Sequence, residues 1–270
     1  MKYKLICIDM DGTLLNNKFT IPDENIRALK EAMENGVKIA LVTGRPFNIA
    51  SYFKRFLGDD VLIVGTNGTY YKYGEVLYKK TLSADEIESI YNIAEKHKLT
   101  AYFKGHNIVL SNEKIPENHQ YKMINTYLND EEKMNLFDNC SLQFTLENHN
   151  ENICKCIVFS DDTEAVNKAK QELKQYNILE VVSSHVNNFE AMQLGTSKGV
   201  AVKSLCDSLN VKPEELICIG DNENDLSMIQ FAGLGIAMGN APEEIKLQAD
   251  YVTDNNVNCG VAKALDLFLK

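Results

Sequence analysis

The stretch Leu5-Ile6-Cys7-Ile8-Asp9-Met10-Asp11-Gly12-Thr13-Leu14 decides the fold. Four apolar residues in succession run straight into two carboxylates, one residue apart, and then a glycine. An unbroken short apolar run reads as a strand buried on both faces, as in a parallel sheet. Carboxylates at the end of such a strand are costly to desolvate and need a partner of opposite charge.

Working outward, the same texture recurs. Residues 23–35 carry Ile26, Leu29 and Met33 at helical spacing and stop at Gly36. Residues 37–42 read as a second strand ending at Thr43-Gly44-Arg45, and 61–64 as a third ending at Thr66-Asn67-Gly68. After residue 190 the pattern returns: a helix over 197–209, a strand over 215–219 ending at Gly220-Asp221, a short helix over 224–231, and strands at 234–238 and 251–253. Strands alternating with helices predict an α/β fold with a parallel sheet flanked by helices.

The middle of the chain differs. Ser83-Ala84-Asp85-Glu86 is a capping-box pattern ahead of Ile87, Ile90, Tyr91 and Ala94 on one helical face. Two strand-like runs, 100–104 and 107–111, meet at Gly105-His106 like a hairpin. A strand over 153–159, a helix near 162–175 and strands at 178–183 and 189–194 follow, while 112–152 is polar and weakly patterned. The predicted organisation is a core made of residues 1–80 and 191–270, with an α+β insertion over 81–190.

Bulk properties narrow the function. The 270 residues carry a net charge of −10 and no lysine- or arginine-rich stripe, which leaves nucleic-acid binding without electrostatic support. No apolar run approaches the roughly 20 residues that span a bilayer, so no membrane partner is expected. The opening four residues lead into too short an apolar run for a signal peptide, and a cytoplasmic location is expected. The seven cysteines are odd in number and scattered, and Cys154-Lys155-Cys156 lacks the second pair that a zinc site needs. Buried free thiols in a reducing compartment are expected.

In an open parallel sheet, ligands bind beyond the carboxyl ends of the strands. That edge collects Asp9, Asp11, Gly12 and Thr13, then Thr43, Gly44 and Arg45, then Asn67, then Asp221, Asn224 and Asp225. Four carboxylates at one edge repel each other without a cation, and oxygen ligands favour a hard ion. The alternating acids Asp221, Glu223 and Asp225 make a poor calcium loop, because Leu226 stands at the turn glycine and Ala232 at the closing glutamate. Mg²⁺ with a phosphate partner fits better. Lys198, at a helix start in Gly195-Thr196-Ser197-Lys198-Gly199, adds an ammonium. A cation, a hydroxyl, an ammonium and backbone N–H groups together neutralise a phosphoryl group.

The chain resembles the haloacid dehalogenase superfamily over nearly its whole length, and within it the Cof-type phosphatases with a large C2B-type cap inserted after the third core strand. The resemblance rests on Asp9-Met10-Asp11-Gly12-Thr13-Leu14, Val42-Thr43-Gly44-Arg45, Ser197-Lys198-Gly199 and Gly220-Asp221-Asn222-Glu223-Asn224-Asp225, in that order. Met238-Gly239-Asn240-Ala241 and Ala249-Asp250-Tyr251-Val252-Thr253 are also typical of the branch. The resemblance implies a Rossmann-like core with a cap, and hydrolysis of small phosphomonoesters such as sugar phosphates, pyridoxal phosphate or FMN. Asp9 is implied as the nucleophile that forms an aspartyl-phosphate, and Asp11 as the general acid and base. Mg²⁺ is implied on Asp9, the backbone carbonyl of Asp11 and Asp221, with Asp225 holding a metal-bound water or orienting Lys198. Thr43, Gly44, Lys198, Gly12 and Asn224 are implied to bind the substrate phosphate, and Thr13 to lend a backbone N–H. The partner is a small phosphorylated metabolite, and a monomer or weak homodimer is expected.

Other readings remain in view. A phosphomutase or phosphotransferase would use the same aspartyl-phosphate with a substrate hydroxyl as acceptor. A phospho-ligand sensor predicts damaged motifs, whereas all four are intact. A dehalogenase would leave Asp11 and the Asp221 loop without a role. Arg45 and Asn67 are candidates for the substrate mouth, Glu190 for a place beside Lys198, and His106, His119, His149, His185 and Asn187 for reading the leaving group. The glycines 233, 235 and 239 are spaced G-x-G-x-x-x-G and are expected to shape turns around a core strand, not a dinucleotide site.

Overall fold

The structure, a computed structural model, describes residues 2–269. The chain opens with β1 (Leu5–Ile8), α1 (Asp23–Glu34), β2 (Lys38–Val42), α2 (Phe47–Leu57) and β3 (Leu62–Gly65), followed by a hairpin of β4 (Tyr70–Tyr73) and β5 (Val76–Lys79). The middle holds α3 (Ala84–Lys96), β6 (Thr100–Lys104), β7 (Ile108–Ser111), α4 (Gln120–Asn125), β8 (Asn135–Phe137), α5 (Leu142–His149), β9 (Lys155–Phe159), α6 (Thr163–Gln175), β10 (Leu179–Val182) and β11 (Asn188–Gln193). The last stretch holds α7 (Lys198–Leu209), β12 (Leu216–Gly220), α8 (Leu226–Phe231), β13 (Leu234–Ala237), α9 (Glu243–Lys246), β14 (Tyr251–Val252) and α10 (Gly260–Phe268).

Two sheets result. The first runs β14-β13-β12-β1-β2-β3-β4-β5, parallel from β14 through β3 and antiparallel in the β4–β5 hairpin at its edge. β1 lies between β12 and β2, with Ile8 opposite Ile219 on one side and Leu41 on the other. Its alternate residues feed two separate cores. Ile6 and Ile8 pack with residues of α1 and α10 such as Leu29 and Leu265. Leu5 and Cys7 pack on the other face with Ala201, Val202 and Leu205 of α7. This is why the strand is apolar at every position, and each fully buried aliphatic side chain adds about 1.5–3 kcal/mol.

The second sheet runs β10-β11-β9-β6-β7-β8, antiparallel except where β8 joins β7. α3 and α6 cover it through Ile87, Ile90, Val166 and Ala169. The capping box at the start of α3 forms as the sequence predicts: Ser83 Oγ accepts from Glu86 N, and Glu86 Oε2 accepts from Ser83 N at 2.7 Å.

The second sheet is tied to a helix and a loop that follow strands of the first. Asn48 N donates to His106 O, and Asn48 Nδ2 to Glu132 O at 2.8 Å. On the other side, Glu223 Oε2 accepts from Ser183 N and from Lys170 Nζ, and Asn222 Nδ2 donates to Ser184 O. The second sheet therefore sits over the strand ends where the acidic residues gather.

The structure adds to the sequence reading at three places. The hairpin β4–β5 extends the core sheet, which makes it mixed and not wholly parallel. Residues 112–152 contain α4, β8 and α5, each too short for its hydrophobic periodicity to stand out. β11 pairs with β9 up to Met192 and with β10 up to Gln193, a little beyond residue 190. All seven cysteines are free thiols; six are buried and Cys259 is partly exposed. Among the described residues, no helix is long and apolar enough to cross a membrane.

Candidate active site

The opening stretch makes its turn just past β1. Asp9 N continues the ladder by donating to Ile219 O, and Leu14 N and Leu15 N then donate back to Asp9 O and Met10 O. Gly12 sits at φ +83°, and a Cβ there would lie 2.4 Å from Asp221 Oδ2. Only glycine combines that backbone with that approach. Thr13 Oγ1 donates to Asp221 Oδ1 at 2.9 Å, and Asn240 Nδ2 donates to Gly12 O. The β1 and β12 loops are thus fastened to each other.

The loop after β12 folds around Asp225. Its Oδ2 accepts from Asp221 N at 2.9 Å and Asn222 N at 3.1 Å, which closes a tight turn. Gly220 is required there, since a Cβ would lie 2.4 Å from Asp225 Cβ. Asp225 Oδ1 accepts from Lys198 Nζ at 2.6 Å, and Lys198 also donates to Asp9 Oδ1 at 2.5 Å. Ser197 caps α7 by accepting from Val200 N, which holds Lys198 at the first helical position.

Asp9, Asp221 and Asp225 each present a carboxylate oxygen within 4.8 Å of the others, all buried. Two of these acids, Asp9 and Asp225, pair with one lysine, and the third, Asp221, lies beside them. Burial and the nearby Asp225 push the Asp9 carboxyl well above its usual range, against the pull of Lys198. Burial, then Asp225, push Asp221 up to about 7. Burial works against the charge on Lys198, but Asp225 and Asp9 outweigh it and raise its pKa. The oxygen-only donor set and the excess negative charge suit a hard divalent cation.

Asp11 points elsewhere. Arg45 Nε and Nη2 grip its carboxylate at 2.7 and 2.6 Å in a bidentate fork. Burial works to raise the Asp11 pKa, and Arg45 overcomes it and lowers it. Arg45 is itself only 3% exposed. Thr43 Oγ1 accepts from Arg45 N at 3.1 Å, so its hydroxyl caps the turn and keeps its own proton free to donate.

These groups line one cavity of about 270 Å³. Of the residues singled out from the sequence, Asp9, Asp11, Gly44, Arg45, Asn224 and Asp221 line it, with Asp225 and His185. Lys198 reaches it through Asp9, and Thr43 lies buried beneath Arg45. Glu190 lines the cavity but does not pair with Lys198. It pairs with Lys155 at 2.7 Å and accepts from Asn67 Nδ2, and Asn67 Oδ1 in turn accepts from Asn224. Asn187 bonds to the His185 ring. His119 packs edge-on against Tyr102 and Tyr121. His106 stacks on Tyr70, and His149 packs against Phe137 and Phe144, both away from the cavity lining.

Sequence reasoning missed Lys104, Lys155, Gln120 and Tyr121. Both lysines end or begin apolar strand runs, Tyr102-Phe103-Lys104 and Lys155-Cys156-Ile157, and are buried. A lysine inside a buried strand is rare enough to have marked them.

The description "haloacid dehalogenase-like hydrolase" fits a family model that matches residues 6–265. A phosphatase of Bacillus subtilis (strain 168) named for 5-amino-6-(5-phospho-D-ribitylamino)uracil is 32% identical over 97% of this chain and 94% of its own length. A solved haloacid dehalogenase-like hydrolase from B. subtilis superposes with a TM-score of 0.86 at 29% identity, covering 98% of this chain and 99% of that one. A subclass IIB sugar phosphatase of the superfamily superposes at 0.80 with 25% identity, covering 98% of each chain. The chain belongs to the haloacid dehalogenase-like hydrolase family, in its Cof-type phosphatase branch.

Proposed function

We propose that this phosphatase hydrolyses small phosphomonoesters by passing the phosphoryl group through Asp9, with Mg²⁺ bound at the acidic cluster. The observation that carries the reading is the charge imbalance of Asp9, Asp221 and Asp225 around Lys198, at the wall of a polar cavity. The cluster fits a cation on its donor chemistry. Asp9, Asp221 and the carbonyl of Asp11 would hold it, while Asp225 keeps both oxygens on Lys198 and the loop N–H groups. When bound, Mg²⁺ offsets the repulsion between the Asp9 carboxylate and the substrate dianion.

The chain's own groups do the rest. Asp9 attacks phosphorus and the ester oxygen departs. Lys198 and the free proton of Thr43 take charge from the phosphoryl oxygens. Asp11 gives a proton to the departing oxygen and later takes one from the attacking water. Arg45 holds Asp11 ionised, which suits the second half. The first half calls for the entering phosphate to draw Arg45 away, so that Asp11 can carry a proton. The segment 81–190 serves as a cap: through Glu190, Ser183 and Ser184 it closes over the strand ends and limits water. The named specificities of the two phosphatase relatives support a small phosphorylated metabolite as substrate.

The test is phosphate release from a panel of phosphorylated metabolites, with Mg²⁺ and with EDTA. Metal-dependent release of inorganic phosphate is expected. Release unaffected by EDTA would sink the Mg²⁺ assignment, and transfer of the phosphoryl group to a second metabolite would replace hydrolysis with phosphotransfer.

A further inference from the structure

β5 is the last strand of the eight-stranded sheet, and among the described residues no strand pairs with its far side. The other sheet edges are less open: β14 has two residues, β8 has three, and Leu179 and Val181 of β10 are buried. Along β5, Val76 is 45% exposed and Leu77 58%. Glu75 and Lys79, at its two ends, are exposed as well. An open edge strand is a template for pairing with another chain.

The hairpin's own ladder fixes which backbone groups face outward. Tyr70 lies opposite Lys79 and Tyr73 opposite Val76, and one step further along Lys80 N donates to Thr69 O at 2.8 Å. Antiparallel pairs alternate between bonded and open. With Thr69 and Lys80 bonded, the pairs Tyr71–Tyr78 and Tyr73–Val76 are bonded too. Leu77 and Lys79 therefore turn their N–H and C=O groups away from β4. Their side chains share one face with Glu75, while Val76 and Tyr78 share the other, where the Tyr78 ring stacks on Tyr71 at 5.0 Å.

We propose that β5 is a dimer interface, and that it takes β5 of a second copy of this chain, antiparallel about a two-fold axis at Leu77. Outward groups must meet outward groups, so the axis can pass only through Leu77, Tyr78 or Lys79. At Leu77 the strand is self-complementary. Leu77 faces the partner's Leu77, Val76 faces the partner's Tyr78, and Glu75 faces the partner's Lys79, the last two pairs occurring twice by symmetry. An axis at Tyr78 would set Leu77 against Lys79, and one at Lys79 would set the two lysines against each other. Glu75 forms no ion pair among the described residues. Lys79 Nζ donates to Glu151 O at 3.0 Å and Asn152 Oδ1 at 3.4 Å, which leaves one N–H for the partner's Glu75. Lysine on an edge discourages stray strands, and here its charge is answered by an acid only in this pairing. A strand of four residues covers less than a standard interface, so a weak dimer with a Kd of about 1–100 µM is expected.

The experiment is sedimentation velocity of the full chain from about 1 to 300 µM. The wild type is expected to pass from monomer to dimer over that range and to grow no further. Leu77→Pro removes an N–H that faces away from β4, so the hairpin keeps its own bonds. Glu75→Lys and Lys79→Glu each set like charges across the pair, twice by symmetry. Each of the three is expected to raise the dimer Kd about tenfold or more, and melting curves check that each is folded. The double variant Glu75→Lys with Lys79→Glu restores opposite charges and is expected to bring the Kd back toward the wild-type value. A wild type that stays monomeric, growth past the dimer, or a dimer that the three folded single variants leave unchanged overturns the proposal. A double variant no tighter than the singles overturns the register at Leu77, and the proposal with it.

Discussion

Two buried ionic clusters face the same cavity and balance their charge differently. On the side of the second sheet, Glu190 meets Lys155, and Asn67 donates to its other oxygen. Acid, base and amide satisfy each other by direct contact, and the charge of the nearby Lys104 also acts on Glu190. At the ends of β1 and β12, Asp9 and Asp225 share the single ammonium of Lys198, and Asp221 lies beside them with no lysine of its own. At an effective dielectric of 20, two charges 4 Å apart interact by about 4 kcal/mol, so a surplus of acid is a substantial strain. The balanced cluster is a joint between Asn67 of the core and the strands β9 and β11. The unbalanced cluster carries surplus acid on oxygen donors, the place where a cation is proposed to bind.

The largest expected effect separates the two clusters by function. Asp9→Asn should lower kcat about 1,000-fold or more while leaving the melting temperature unchanged or raised, because it removes a repelling charge. Turnover near the wild-type rate would remove Asp9 from the chemistry.

The balanced cluster should respond in stability. Lys155→Met or Glu190→Gln alone strands a buried charge and is expected to cost about 3–5 kcal/mol, and the two together less than either. Denaturant melts of the double-mutant cycle measure this. Additive losses would mean that the pair is not a coupled joint.

Metal should act on the unbalanced cluster alone. Mg²⁺ at about 100 times its Kd is expected to add about 2.7 kcal/mol of stability. Asp221→Asn should lose most of that gain, and Glu190→Gln should keep it. Equal gains in both variants would move the cation away from the acidic cluster.

The smallest effect is in pH. Asp221 holds its proton up to about 7 in the folded chain, against about 3.9 when unfolded. Between those values the folded state keeps a proton that the unfolded state has released. The contribution is fully present below about 3.9 and is lost as pH rises through 7. In EDTA the melting temperature should therefore carry a falling component over this window, and Asp221→Asn should remove it. Identical slopes in the two proteins would contradict the raised pKa.

Much of this was legible in the chain. The run through Ile8 into Asp9 and Asp11 marked both a doubly buried strand and a site at its end, because burial and carboxylates conflict unless something compensates. Asp221 and Asp225 were legible for the same reason. Arg45 and Asn67 were less so: nothing in Thr43-Gly44-Arg45 says that the guanidinium turns inward onto Asp11. Glu190 was expected near Lys198, but Lys155, on the neighbouring strand β9, reaches it first. The hairpin β4–β5 and the short elements of 112–152 were missed because exposed edges and short helices carry little periodicity. Lys104 and Gln120 were missed because only the assembled cavity brings them to the site.

The most direct test of the central claim is to quench the enzyme during turnover of a phosphomonoester with Mg²⁺ and locate the phosphoryl group by peptide mass spectrometry. The account predicts a phosphoryl group on Asp9, absent in EDTA and absent from Asp9→Asn. Turnover with the phosphoryl group on another residue, or undiminished turnover in Asp9→Asn, would contradict it.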